Sequence, residues 1–293
     1  MFIATLIAAD RLSAGDISQA SDLLAEAGAE ILGTDWIEPE TAADIRFVGD
    51  LPGARAALAA WEGRVDTIVQ EAAGRAKKLF IADMDSTMIT VECLDELADY
   101  AGFKPQVSAI TERAMRGELD FVAALDERVA LLEGMDAEIV TRCHAERVAL
   151  SPGAVALVRT MKAHGAHTVL ISGGFTLFAE RVAAEIGFDR AIANQLEISA
   201  GSLTGRVLRP IVDSVKKCQV LQEETERLGL AREDTLAIGD GANDLAMVEQ
   251  AGLGIAYHGK PKLRDAADGR IDHGNLSVLL YAQGYARNDW VEG

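Results

Sequence analysis

Two aspartates stand two residues apart in Asp83-Met84-Asp85-Ser86-Thr87, directly after the apolar run Leu79, Phe80, Ile81 and Ala82. Carboxylates so placed can divide a displacement between them, one attacking while the other moves protons. A second acidic run, Gly239-Asp240-Gly241-Ala242-Asn243-Asp244, follows the stretch from Thr235 to Ile238 and packs three oxygen-bearing side chains among small residues. That donor set suits a hard cation. Mg²⁺ takes one or two protein carboxylates at about 2.1 Å and completes its octahedron with waters and phosphate oxygens, and Asp83 and Asp240 are the candidate pair. A third run, Ser172-Gly173-Gly174-Phe175, ends the stretch from His167 to Ile171 and offers a hydroxyl with unhindered backbone amides, an anion-binding arrangement where a helix follows. Lys217 is a basic point in an acidic chain and a candidate phosphate partner. Each run alone also suits an ordinary capping turn or a solvated helix face.

These residues need a common scaffold, and the apolar stretches before the three runs are short enough to be buried strands. Open α/β sheets bind ligands outside the carboxyl ends of their strands. Asp83 and Asp85 face one ligand if strand geometry continues past Ala82, because residues two apart on a strand point the same way. From Ala154 onward the pattern alternates: helix to His164, strand His167 to Ile171, helix Phe175 to Ile186, then a strand pair near Ala191 to Ile198 and Leu203 to Val207. Helix Lys216 to Leu228, strand Thr235 to Ile238, helix Leu245 to Ala251, strand Gly254 to Ala256 and a short strand near Arg270 to Asp272 follow. The alternation predicts a parallel sheet with helices on both faces. Between Val91 and about Leu150 the apolar spacing is helical throughout, which predicts a helical insert. Residues 1–76 read as a small βαββαβ module, with strands at Phe2 to Ala8, Ile31 to Ile37, Asp44 to Val48 and Thr67 to Val69, and helices at Ser18 to Ala27 and Ala54 to Trp61. Gly74 to Lys78 reads as a linker.

With 293 residues, 49% of them hydrophobic, the chain can build a full α/β core and one or two smaller modules. A formal charge of −18 gives no electrostatic footprint for nucleic acid or an anionic membrane. It also repels anions at long range, so a phosphate site here must depend on locally placed cations and backbone amides. Cys93, Cys143 and Cys218 are scattered without a Cys-x-x-Cys pair, which argues against a disulfide framework or a zinc site and for a reducing cytoplasm. Phe2 to Ala9 lacks a basic leader and reads as a strand rather than a signal peptide. No apolar stretch approaches a membrane span. The expected partner is a small molecule, and a homo-oligomer stays open.

Taken together, Asp83-x-Asp85-x-Thr87, Ser172 after a strand, Lys217 and Gly239-Asp240-Gly241-Ala242-Asn243-Asp244 resemble the four ordered motifs of the haloacid dehalogenase superfamily. Within it, the run Asp83 to Thr87 followed by Glu92, the stretch Ala114-Met115-Arg116-Gly117 with Phe121 and Arg128, and Ser172-Gly173-Gly174-Phe175 are similar to phosphoserine phosphatases. The resemblance covers about residues 78 to 275, with no departure at its functional positions. It implies a Rossmann-like core at 77–91 and 151–293 interrupted by a helical cap at 92–150, and likens residues 1–76 to the ACT-like module of longer members.

The resemblance further implies Mg²⁺-dependent hydrolysis of O-phosphoserine to serine and phosphate, the last step of serine biosynthesis, through an aspartyl-phosphate. In that scheme Asp83 is the nucleophile and Asp85 the acid and then the base, and Mg²⁺ is held by Asp83, Asp240 and the backbone carbonyl of Asp85. Ser172, the amide of Gly173 and Lys217 hold phosphoryl oxygens, Asn243 orients substrate, and Asp244 supports Lys217 or the metal. In the cap, Arg128 takes the substrate carboxylate and Glu92 its ammonium, with Met115 and Phe121 shielding them. Two other readings stand beside it: a relative that passes the aspartyl phosphate to an alcohol such as homoserine, and an amino-acid sensor whose core does no chemistry.

Overall fold

The computed structural model describes residues 1–61, 64–115 and 118–292. Its first six elements are β1 (Phe2–Ala8), α1 (Ala14–Glu26), β2 (Glu30–Glu38), β3 (Ala42–Val48), α2 (Leu51–Ala59) and β4 (Val65–Glu71), the βαββαβ order expected. The four strands form an antiparallel sheet in the order β2-β3-β1-β4. α1 starts where Ser13 and Asp16 cap each other, the Ser13 hydroxyl accepting the Asp16 N–H and the Asp16 carboxylate accepting the Ser13 N–H. Strand alternation then sorts the side chains. Leu6, Ile45 and Phe47 pack with Ile17, Leu24 and Leu58 of the two helices, while Ile7, Ala42 and Ile68 join the main core on the other face.

The expected linker is tied down rather than loose. Arg75 holds Asp44 of β3 with both guanidinium arms, at 2.6 and 3.0 Å, and donates to the carbonyls of Tyr281 and Ala282, each at 3.1 Å. This two-pronged, charge-assisted geometry fixes the small sheet against the end of the chain.

The remaining elements are β5 (Leu79–Ala82), α3 (Cys93–Tyr100), α4 (Lys104–Met115), α5 (Phe121–Ala130), α6 (Glu138–Arg147), α7 (Ala154–Ala163), β6 (His167–Phe175), α8 (Thr176–Ile186), β7 (Arg190–Ser199) and β8 (Ser202–Leu208). They continue as α9 (Ser214–Arg227), β9 (Thr235–Gly239), α10 (Leu245–Gln250), β10 (Leu253–Tyr257), α11 (Pro261–Ala266), β11 (Gly269–Ile271) and α12 (Val278–Ala282). Helices α11 and α12 are additions to the sequence reading. The apolar run from Leu276 to Ala282 has no clear period, and it is tertiary burial that makes it helical.

Seven strands form one sheet in the order β11-β10-β9-β5-β6-β7-β8. Neighbours are parallel except β8, which returns antiparallel on β7. The departure has a local cause: Ala200 and Gly201 both have positive φ, so the link is a two-residue hairpin, too short for a parallel crossover. β5 is wholly buried, with Phe80 and Ala82 facing one helical layer and Leu79 and Ile81 the other. Its partners put Ala82 level with Ile238 of β9 and Leu170 of β6. The two acidic runs and the Ser-Gly-Gly end of β6 therefore lie side by side at the carboxyl ends of three adjacent strands. Leu94 of α3 and Phe121, Leu125 and Arg128 of α5 line the cavity at those strand ends, and Leu97, Leu125, Val129 and Val140 continue the main core into α3, α5 and α6.

α9 is anchored to the sheet by Glu224, a fully buried carboxylate paired with Arg190 of β7 and accepting from Arg227 Nε at 2.8 Å. Burial works to raise its pKa, but the two guanidiniums outweigh it and hold it below the ordinary 4.5. A carboxylate with a depressed folded pKa contributes stability above its unfolded pKa and loses it as pH falls through the folded one. Urea unfolding should therefore find Glu224→Gln less stable than wild type by about 1–3 kcal/mol at pH 7. The gap should close below pH 4.5. A difference independent of pH would refute the ionic account.

Candidate active site

Asp83 is the first residue past β5, extended and nearly inaccessible to solvent, with its N–H bonded to the Ile238 carbonyl at 3.0 Å. Lys217 of α9, wholly buried, pairs with Asp83 Oδ1 and donates to Asp244 Oδ1 at 2.7 Å. Asp244 reaches this position because β9 ends in Gly239, where a side chain would sit 2.3 Å from Asp244 Cγ. Burial opposes the Lys217 charge, but Asp244 and Asp83 overcome it and raise its pKa. Asp83 is pushed well above the ordinary carboxylate range, first by burial and then by Asp244, with Lys217 pulling the other way.

Three carboxylates, from Asp83, Asp240 and Asp244, offer oxygens all within 4.8 Å of one another. Two ammoniums, Lys217 on Asp83 and Asp244 and Lys260 on Asp240, do not balance three clustered carboxylates together with an incoming phosphate, and hard, clustered oxygens are the donors a small divalent cation takes. The arrangement fits Mg²⁺. Asp244 is a fuller member of this cluster than the sequence reading assumed. The Asp85 carboxylate lies outside it, leaving its backbone carbonyl as the group assigned to a metal by the resemblance.

Asp85 turns away because the strand does not persist. The turn Met84–Met88 contains Asp85 in an extended conformation and Ser86 in the left-handed region. Asp85 Oδ1 accepts the Cys93 N–H at 2.7 Å, and Oδ2 accepts from the Ser172 hydroxyl at 2.9 Å. Burial raises its pKa, while the bonds from Cys93 and Ser172 restrain the rise. The Ser172 hydroxyl is itself bonded by the Gly174 N–H at 2.8 Å. Gly174 has to be a glycine: a side chain would begin 3.0 Å from both Asp85 Oδ2 and Ser172 Oγ.

Asp83, Asp85, Glu92, Phe121, Arg128, Gly173, Asp240 and Asn243 all line one cavity of about 150 Å³. Ser172 and Lys217 lie directly behind its wall, bonded to Asp85 and Asp83. Glu92 accepts from the Ser86 hydroxyl at 2.8 Å. Arg128 is half-buried with Nε on the Ala124 carbonyl at 3.0 Å, and burial lowers its pKa against the pull of Asp95 and Glu92. The Phe121 ring closes over Gly173, its tip 3.2 Å from where a side chain would begin. The side chain of Met115, together with Arg116 and Gly117, lies outside the described residues.

Lys260, Leu94 and Leu125 also line this cavity and were missed by sequence reasoning. Lys260 donates to Asp240 Oδ2 at 3.0 Å, and its N–H bonds the Asp240 carbonyl at 2.8 Å. Its signal was faint: a basic residue in Gly259-Lys260-Pro261, just past the apolar run that forms β10. A larger cleft, about 810 Å³, separates α2 and β4 from β11. Four of its charged residues pair with one another, Arg55 with Asp268 and Arg264 with Asp272.

A family model of haloacid dehalogenase-like hydrolases matches residues 80–249. A phosphoserine phosphatase of Polaromonas sp. is 46% identical over 208 residues, 69% of this chain and 88% of that protein. The chain belongs to the phosphoserine phosphatase family of haloacid dehalogenase-like hydrolases. A phosphoserine phosphatase of Archaeoglobus fulgidus is also 46% identical, over 205 residues, 70% of this chain. The chain spans 59% of the length of that relative. Among solved structures, a haloacid dehalogenase family hydrolase from Salmonella enterica serovar Typhi superposes with a TM-score of 0.84 at 31% identity, covering 96% of this chain and 98% of that one. The likeness therefore extends over the N-terminal sheet as well as the family core.

Lys217 is the only cation bonded to Asp83 among the described residues. Lys217→Met should destabilise the metal-free protein by about 3–5 kcal/mol, since it leaves two buried carboxylates without a counter-charge. Urea unfolding in excess chelator measures this, and an unchanged midpoint would show that the pair is not holding the site together.

Proposed function

We propose that this protein hydrolyses O-phosphoserine to serine and phosphate with Mg²⁺ as cofactor. The observation that carries the reading is one small cavity lined by Asp83 and Asp240 of a cluster fit for a divalent cation, by the separately held Asp85, and by Glu92 and Arg128. We further assign residues 1–76 to a small ACT-like module, 77–91 and 151–293 to the catalytic core, and 92–150 to a cap.

Phosphate monoesters hydrolyse so slowly that enzymes acting on them reach accelerations of up to about 10²¹, which demands charge neutralisation, positioning and proton transfer together. Asp83 attacks phosphorus in line and forms an aspartyl-phosphate, splitting one difficult displacement into two. Asp83, Asp240 and the carbonyl of Asp85, with Asp244 beside them, would hold Mg²⁺, which would supply charge neutralisation of the phosphate and so lower the repulsion between the anionic nucleophile and the ester. Asp85 protonates the leaving serine oxygen and then takes a proton from the water that cleaves the intermediate. Its raised pKa supports the first of these roles, because the acid must be neutral when the ester bond breaks. Ser172, the Gly173 amide and Lys217 hold the remaining phosphoryl oxygens, and Asn243 orients the ester.

Substrate choice belongs to the cap. Arg128 takes the carboxylate in a two-pronged bond and Glu92 the ammonium, with Phe121 closing over them. Cytoplasmic location is part of the same reading. Its support is three unpaired cysteines and, among the described residues, no helix long and apolar enough to cross a membrane.

Phosphate release from phosphoserine should require Mg²⁺ and stop with chelator, and no phosphate should pass to added homoserine. Release without metal, or transfer to the alcohol, would replace the reading. Arg128→Ala should lower kcat/KM for phosphoserine by about 10² to 10⁴, yet change that for p-nitrophenyl phosphate by less than about tenfold. Equal losses on the two substrates would remove the cap assignment.

A further inference from the structure

β6 leaves register with β7 just where the Ser-Gly-Gly run lies. Ile171 is opposite Ile192 and Phe175 opposite Asn194, four steps along one strand against two along the other. A bulge of this kind leaves backbone groups without ladder partners. The side chain of Asn194, 1% exposed, supplies the partner of one of them, the Gly173 carbonyl. Its Nδ2 donates to the Gly173 carbonyl at 2.8 Å and to the Val212 carbonyl at 3.4 Å, and its Oδ1 accepts the Val212 N–H at 2.7 Å.

Both arms lead to the reacting groups. The Gly173–Gly174 peptide is a rigid plane: its carbonyl is held by Asn194, while its N–H bonds Ser172 Oγ at 2.8 Å, and that hydroxyl bonds Asp85 at 2.9 Å. On the other side, Val212 precedes Asp213, whose carboxylate caps α9 by accepting the Lys216 N–H at 2.8 Å. The next residue of α9 is Lys217, on Asp83.

We propose that Asn194 is a positioning residue for phosphoryl transfer. Its amide ties the bulged end of β6 that carries Ser172 and Gly173 to the segment that launches the Lys217 helix, and so sets the spacing of the two groups that grip the phosphoryl oxygens, one from β6 and one from α9. The proposal rests on the reading of Ser172, Gly173 and Lys217 as those groups. An amide is required because one short planar side chain must donate to one loop while accepting from the other.

The test uses the full-length, Mg²⁺-supplied protein and Asn194→Asp, which keeps the acceptor for Val212 but turns an oxygen toward the Gly173 carbonyl. Asn194→Ser is the second variant should the first not fold, and Ser172→Ala runs alongside. Inorganic phosphate is the probe, as competitive inhibitor, with Mg²⁺ binding measured calorimetrically without substrate. The expected result is a phosphate Ki raised about tenfold and a kcat/KM for phosphoserine lowered about 10²-fold, with Mg²⁺ affinity within about twofold of wild type. A folded variant with phosphate Ki and kcat/KM both near wild type overturns the proposal. So do losses that merely track a falling melting temperature and Mg²⁺ affinity. If Ser172→Ala leaves the phosphate Ki unchanged, the parent assignment of the loop falls first, and this one with it.

Discussion

A lysine ammonium sealed from solvent between two aspartates is the constraint around which this core is arranged. Lys217 is wholly buried, and removing such a charge from water costs several kcal/mol unless partners surround it. Asp83 and Asp244 supply that surrounding, but they come from the ends of two strands, and the lysine comes from a helix across the sheet. All three segments must be docked before the charge is compensated. The order β9-β5-β6 follows the same logic, since it places the two acidic runs and the Ser-Gly-Gly run on adjacent strands.

The local charge balance explains how a chain of net charge −18 can receive an anion. The field of the whole molecule works against approach, so the site relies on short-range groups: Lys217 beneath Asp83, Lys260 on Asp240, Arg128 in the helical insert, and backbone amides at the end of β6. The buried aspartates outnumber the lysines bonded to them, and a divalent cation would supply the missing charge. The elevated pKa of Asp83, caused first by burial and then by Asp244, expresses the same deficit.

Packing adds selectivity to this electrostatic frame. Phe121 lies over Gly173 and the small residues at 173 and 174 let the insert and the Asp85 carboxylate come close to the strand end. Glu92 and Arg128 line the same cavity, about 150 Å³, as Asp83, Asp85 and Asp240.

Much of this was legible in the residues themselves. The strand end at Ala82, and within one residue that at Ile238, could be read because short apolar runs meeting polar, glycine-rich turns have a local cause, and the βαββαβ order of the first module followed from the same periodicity; β6 instead runs past Ile171 through the Ser-Gly-Gly run to Phe175. Other features have no local signature. The antiparallel return of β8 could be placed only as half of a strand pair, since its direction is set by a hairpin of two positive-φ residues. Helix α12 is an unpatterned apolar run until it is buried. Asp83 and Asp85 could share one ligand by strand geometry only if the strand continued; it ends at Ala82, and the two line one cavity because the Cys93 amide and the Ser172 hydroxyl hold Asp85 there. Lys260, Asp244 as a full member of the carboxylate cluster, and Asn194 in the bulge all act on partners that lie elsewhere in space or across a strand. The sequence by itself determined which chemical groups were available and which strand ends would carry them, because those depend on neighbours in the chain. Which carboxylates share a charge, and which amide spans two loops, was decided only when the sheet brought distant segments within hydrogen-bonding distance and took the water away.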